Sequence, residues 1–114
     1  MTTPYVPDRG DLVWIDLDPQ AGHEQAGRRP ALVLSARIYN AGSRRLAIIC
    51  PLTSKAKGYP FEVSVPPGSG AHGVIVADQV RSLDWVARSA TPLGRVPEAT
   101  VRGVTDLIAT LLGL

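Results

Sequence analysis

Arg28 and Arg29 stand side by side in Glu24-Gln-Ala-Gly-Arg-Arg-Pro-Ala-Leu-Val-Leu-Ser35, at the end of a polar loop and directly before an apolar run. A guanidinium stays charged at any working pH, and its planar fork matches the oxygens of a phosphate. Pro30 biases Arg29 toward extended backbone, and Gly27 permits a sharp turn just upstream. Glu24 adds a carboxylate to the same stretch. The negative charge on a phosphodiester's equatorial oxygens grows as the phosphorus is attacked, and a fixed cation there lowers the barrier. Arginine is a poor general acid or base because its pKa lies above about 12. Proton transfer would therefore need a perturbed guanidinium, another group or water. On its residues alone the pair has a second reading, an Arg29–Glu24 ion pair that only pins the loop.

A second polar stretch runs from Thr53 to Pro60, again directly after an apolar run. The hydroxyls of Thr53 and Ser54 can donate to a phosphate oxygen or position an attacking group, although such residues also serve as plain turn formers. Lys55 and Lys57 beside them fit contacts with a polyanion. Trp14, Tyr39, Tyr59, Phe61 and Trp85 offer stacking surfaces for exposed bases. Trp14 and Phe61 read as core, which leaves Tyr59, between Gly58 and Pro60, as the better stacking candidate. His23 and His72 each lie beside a glycine in loop-like sequence and read as solvated side chains. An acid–base pair of histidines would require their two loops to meet. The chain has no Walker loop, dinucleotide glycine pattern, Cys-x-x-Cys or His-x-x-x-His, so neither a metal nor another cofactor is expected.

The elements that must position these groups are short. Leu12–Leu17 alternates, with Val13, Ile15 and Leu17 on one face and Leu12, Trp14 and Asp16 on the other, as a strand does. Residues 19–29 read as a loop of functional length. Ala31–Leu34 and Leu46–Cys50 read as buried strands, with a turn-rich piece around Tyr39–Ser43 between them. Phe61–Val65 and Val74–Ala77 flank Pro66-Pro-Gly-Ser-Gly70 and predict an antiparallel hairpin. The chain has mixed character up to Trp85, and short strands are expected over Val86–Ala90 and at Arg95–Val96. Between Pro97 and Leu112, Val101, Val104, Leu107, Ile108, Leu111 and Leu112 fall at helical spacing. Pro97 and Glu98 suit a helix start, and Gly113 suits its end. The expected fold is mainly β (α+β): a small, strongly curled antiparallel sheet or half-open barrel with a C-terminal helix across one side.

The chain has 114 residues, 45% apolar and 19% charged, which suits one globular domain over residues 1–114. No apolar run reaches the roughly 18 residues of a membrane helix, and no secretory signal is legible at the N-terminus. Cys50 lies in Leu-Ala-Ile-Ile-Cys and reads as a buried hydrophobe; as the only cysteine it has no internal disulfide partner. A cytoplasmic location is expected. Net charge is only +2, but no Asp or Glu occurs between Gln25 and Phe61, where Arg28, Arg29, Arg37, Arg44, Arg45, Lys55 and Lys57 fall. That basic middle suits a polyanionic partner, either nucleic acid or an acidic protein tail.

Taken together, Tyr5-Val-Pro-Asp8, Gly10-Asp-Leu-Val-Trp14, Asp16-Leu-Asp-Pro19, Glu24-Gln-Ala-Gly27, Arg29-Pro-Ala-Leu-Val-Leu-Ser35, Lys57-Gly-Tyr-Pro-Phe-Glu-Val63 and Ala77-Asp-Gln-Val-Arg-Ser82 closely resemble the MazF/PemK toxin family, in order and nearly in spacing. The resemblance runs from about residue 5 to about 90; the terminal helix matches in kind only. It implies an SH3-like barrel, a homodimer, and the toxin of a type II toxin–antitoxin system. The implied activity is sequence-specific, metal-independent endoribonuclease cleavage of single-stranded RNA (mRNA). The substrate's own 2′-hydroxyl attacks, leaving a 2′,3′-cyclic phosphate and a 5′-hydroxyl. By position, Arg29 matches the family's catalytic arginine, Thr53 its threonine and Glu24 a site carboxylate. Arg28, Ser54, Lys57, Tyr59 and Gln79 are the expected RNA contacts. A cognate antitoxin with an acidic disordered tail would lie along the basic groove, and no membrane is involved. The second loop reads Thr53-Ser-Lys-Ala-Lys57 instead of a Thr-Thr-Gln type, so a relative's RNA recognition site does not carry over. Competing readings are a non-enzymatic CcdB-type toxin and an SH3-like binding module.

Overall fold

The alternation around Trp14 becomes strand β1, Asp11–Asp16, and the apolar residues after Pro30 lie within β2, Arg28–Val33. The computed structural model describes residues 4–18, 22–25 and 27–114. Among these residues the chain continues with helix α1 (Arg37–Asn40), β3 (Leu46–Thr53), β4 (Glu62–Ser64), β5 (Val74–Val76), a 3-10 turn (Ala77–Gln79), β6 (Arg81–Asp84), β7 (Thr91–Arg95) and helix α2 (Glu98–Leu111). The strands form a sheet in the order β4-β5-β3-β2-β1-β7, and β6 pairs with the first half of β3. Each of these pairings is antiparallel. The sheet is curled rather than closed. Its two ends nevertheless meet, because the Arg95 backbone N–H on β7 donates to the Ser69 carbonyl in the β4–β5 turn at 3.1 Å. Gly94 makes that approach possible: a Cβ there would stand 1.8 Å from the same carbonyl oxygen.

The curl gives the sheet two apolar faces. Leu12, Leu32, Cys50, Leu52 and Ile75 pack under Val101 and Val104 of α2. Val13, Ile15, Leu17, Ala31, Val33, Ala47, Ile49, Leu83 and Trp85 form a second cluster. The β1 alternation thus sends Leu12 to the first core and Val13 and Ile15 to the second, while Trp14 and Asp16 stay exposed. Cys50 is fully buried, and burial pushes its thiol up to about 12. No helix among the described residues is long and apolar enough to cross a membrane.

Several expectations need correction. Arg28 and Arg29 belong to β2, where they pair with Asp16 and Ile15 of β1, rather than to the preceding loop. Residues 86–90 are a turn, not a strand. The Asp84 carboxylate accepts the Ala87 N–H at 2.8 Å, its carbonyl accepts the Arg88 N–H at 3.1 Å, and Ser89 has a φ of 54°. The extended residues are the preceding Arg81–Asp84. Trp85 is buried in the second core and donates its indole N–H to the Asn40 carbonyl at 2.8 Å, so it offers no stacking surface. On α2, Val101 and Val104 are buried, but Leu111 and Leu112 are 43% and 68% exposed, because the helix outruns the face it covers.

The N-terminal arm is fastened through Asp11. Its carboxylate accepts the Tyr5 hydroxyl at 2.8 Å, the Asp8 backbone N–H at 2.9 Å and the Arg95 guanidinium. Burial, and then the Asp11 carboxylate, push the Tyr5 phenol above its ordinary range. Asn40, fully buried, donates to the carbonyls of Pro7 at 2.8 Å and Ser35 at 3.0 Å and so ties α1 to the arm.

Candidate active site

Two prolines determine where the sheet opens. The β2–β3 ladder runs Val33–Ile49, Leu32–Cys50, Ala31–Pro51 and stops there. Neither Pro30 nor Pro51 has a backbone N–H to extend a ladder. Past that point β2 continues beside β1, while Leu52 and Thr53 of β3 pair with Ile75 and Val74 of β5. A cavity of about 370 Å³ lies where the strands part, lined by Arg28, Arg29 and Pro30 from one side and Leu52, Thr53 and Ser54 from the other. Trp14, Ala71, His72 and Leu93 also line it. A second cavity, of about 520 Å³, shares Arg29, Thr53 and Ser54 with the first and extends past His23, Lys57, Tyr59 and Gln79. Arg29 and Thr53, from separate strands, therefore stand at the junction of two clefts.

Each functional group is held by local structure. The Thr53 Oγ1 accepts the Lys55 backbone N–H at 3.2 Å, an arrangement in which the hydroxyl can still donate its own proton. The Arg28 guanidinium donates to the Ser89 carbonyl at 2.9 Å and to the Thr91 hydroxyl at 3.1 Å, so it is anchored to the far strand. The Glu62 carboxylate accepts the backbone N–H groups of Lys57 and Gly58 at 3.0–3.1 Å and shapes the turn that carries the next aromatic. There the Lys57 Nζ lies 5.9 Å from the centre of the Tyr59 ring, within cation–π range, and Tyr59 is 59% exposed.

Glu24 is tied to β6, and Gln79 lies in the 3-10 turn beside the second cavity. Glu24 pairs with Arg81 at 3.7 Å and lines a third, smaller cavity of about 170 Å³ with Gln25 and Gln79. The Gln79 side-chain oxygen accepts the Gln25 backbone N–H at 2.9 Å, and its amide reaches the His23 carbonyl at 3.5 Å. Arg88 holds the loop's other flank by donating to the carbonyls of Asp16 and Asp18 at 3.1 and 2.8 Å. The described residues of the loop before the arginines are thus held from β6 and its neighbours, a role that no local pattern announced for Gln79, Arg81 or Arg88.

One sequence reading changes at the site. Trp14, expected in the core, is 38% exposed and lines the first cavity with Arg29 and Thr53. The histidines are solvated as expected, yet their loops come to adjoining clefts on the shared Arg29–Thr53–Ser54 wall, His72 in one and His23 in the other. Among the described residues, no group of three or more His, Cys, Asp or Glu is placed to hold a metal ion.

The curled sheet with its C-terminal helix defines a small β-sheet domain with an arginine-lined opening between two of its strands. Over residues 8–112 the sequence matches the model of the PemK-like, MazF-like toxin of type II toxin-antitoxin system, and the chain belongs to that family. Endoribonuclease toxin MazF of Escherichia coli (strain K12) is 47% identical over 113 residues, covering 99% of this chain and 100% of that protein. The crystal structure of MazF (Form-I) from Deinococcus radiodurans superposes with a TM-score of 0.92 at 52% identity, covering 97% and 100% of the two chains. The MazE-MazF (Form-II) structure from the same organism gives a TM-score of 0.86 at 52% identity over 97% and 99%.

Proposed function

We propose that this chain, as a single toxin domain, is a sequence-specific endoribonuclease that cleaves single-stranded RNA without a metal. The observation that carries the reading is the convergence of Arg29 and Thr53 at the point where β2 and β3 part. An internal 2′-hydroxyl attack needs no side-chain nucleophile; it needs an aligned phosphate and stabilisation of the charge that develops on it. Arg29 supplies the fixed positive charge, and the Thr53 hydroxyl donates to a phosphate oxygen. Ser54, Lys57 and Tyr59 contact the RNA along the second cleft, where Tyr59 stacks a base. Arg28 contacts the RNA from the wall of the first. Glu24 and Gln79 act through the loop that leads into β2, and Gln79 also borders the second cleft. The products are a 2′,3′-cyclic phosphate and a 5′-hydroxyl.

The likeness to a MazF solved with MazE supports an antitoxin partner for this chain as well. A disordered acidic tail would follow the basic middle segment and exclude RNA, at the cost of its ordering entropy. The active form is a homodimer in the cytoplasm.

Labelled single-stranded RNA incubated with the purified protein and excess chelator tests the reading. Discrete fragments ending in cyclic phosphate are expected. RNA bound but never cut would replace the enzyme with a binding module.

A further inference from the structure

The cleavage reaction proposed above leaves one step without an owner: the departing 5′-oxygen needs a proton, and an arginine is a poor donor. Imidazole is the side chain suited to that task near neutral pH. His72 is exposed, lines the first cavity with Arg29 and Thr53, and lies on a turn whose position is tightly fixed. Gly73, the next residue, has a φ of 106°, and a Cβ there would come within 2.2 Å of the Thr53 carbonyl oxygen. Val74, one residue further, is the register partner of Thr53. The backbone that presents His72 is therefore packed against the backbone that presents the threonine. The charged groups sharing this cavity are Arg28 and Arg29 from β2. Thr53 at the end of β3, Ser54 just after it and Leu93 from β7 bring no charge, and no carboxylate is among the described residues that line it. No acid there competes to protonate a leaving group.

We propose that His72 is the general acid of this chain, protonating the 5′-oxygen as the phosphodiester breaks. The inference rests on the endoribonuclease reading. The substrate's 2′-oxygen bonds to phosphorus while its proton passes to water. The bond from phosphorus to the 5′-oxygen breaks with its electron pair on oxygen, and the His72 imidazolium delivers a proton there. Neutral His72 regains a proton from solvent before the next turnover.

A bridging-sulfur substrate isolates this step. Long single-stranded RNA first maps the wild-type cuts; a short RNA with one mapped site is then made with either the ordinary 5′-oxygen or a 5′-sulfur at the scissile linkage. A thiolate departs without a proton. His72→Ala and His72→Gln are expected to cut the oxygen substrate about 10²–10⁴-fold more slowly than wild type. They should cut the sulfur substrate at close to the wild-type rate, with unchanged melting. The wild-type rate on oxygen RNA should fall with rising pH along a limb that both variants lack. Equal slowing on both substrates, or undiminished cleavage of the oxygen RNA, overturns the proposal and leaves the endoribonuclease reading standing. Wild-type protein that cuts no RNA overturns both.

Discussion

Ala31 and Pro51 are the last register pair between β2 and β3 before the two strands separate. The cleft that holds Arg29 and Thr53 begins one residue beyond Ala31 on one strand and one beyond Pro51 on the other. A ladder of N–H donors would tend to zip those strands together; two imino acids at the boundary withhold the donors. The opening is thus written into the backbone, and the side chains that line it are held apart by strand pairing to different neighbours.

Arg29→Ala removes the fixed cation from the junction of the two clefts. Cleavage should fall by about 10²–10³-fold, the scale of losing one group that stabilises developing charge. The variant should remain folded, because the backbone pairing of β2 with β1 and β3 is untouched. Arg29→Lys should recover only part of the rate, since an ammonium lacks the planar fork. Initial rates on labelled RNA, alongside thermal melts, check both expectations.

Gly73→Ala should damage fold and function together. Its Cβ would meet the Thr53 carbonyl at 2.2 Å at a φ of 106°. A cost of about 1–3 kcal/mol from backbone strain alone is expected, and relief of the clash must move Thr53. Gly68→Ala is the control: it carries a φ of 84° with nothing within 4 Å of the added carbon. It should show the strain without loss of specific activity. Urea midpoints and rates per folded molecule separate the two effects.

Asn40→Ala should destabilise without touching the chemistry. The change strands the carbonyls of Pro7 and Ser35 and the Ser35 hydroxyl, which donates to the Asn40 side-chain oxygen at 2.5 Å. Pro7 is buried, and stranding its carbonyl costs about 1–3 kcal/mol; Ser35 is half-buried and its hydroxyl still accepts the Ile48 N–H at 2.8 Å, so its groups cost less. The Trp85 indole keeps its acceptor, which is the residue 40 backbone carbonyl. Denaturant unfolding should show the loss, while activity at low temperature persists.

Acid should loosen the attachment of α1 to the arm. The Arg37 backbone N–H, with help from that of Arg9, holds the Asp8 carboxyl below the usual carboxylate range. A carboxyl whose folded value is depressed stabilises the fold above its unfolded value and loses that contribution as pH falls through the folded one. Wild-type urea midpoints should therefore decline as pH drops through the acid range, and Asp8→Asn should decline less steeply over the same interval.

How far the sequence revealed these features follows from how local they are. The β1 alternation, the hairpin around Pro66–Gly70 and the α2 stripe are period signals within one segment, and each element forms. Residues 86–90 looked extended because Val86 and Ala87 are apolar, but the Asp84 carboxylate captured the following N–H and made a turn. Only Leu83 of β6 is buried, so that strand showed no alternation to read. Arg29 and Thr53 were legible through their motifs. The exposure of Trp14 and the arrival of His72 in the same cavity depend on the curl of the sheet, which brings together segments that share no local pattern.

The chain's two tryptophans sit in opposite settings, Trp14 38% exposed at the cleft and Trp85 6% exposed in the core. That contrast equips the molecule with two intrinsic optical probes. A polynucleotide entering the cleft should quench the emission of Trp14 and leave Trp85 bright, whereas denaturation should shift the Trp85 emission to the red. Trp14→Phe and Trp85→Phe would give single-fluorophore versions, so occupancy and unfolding can each be followed in real time without a label.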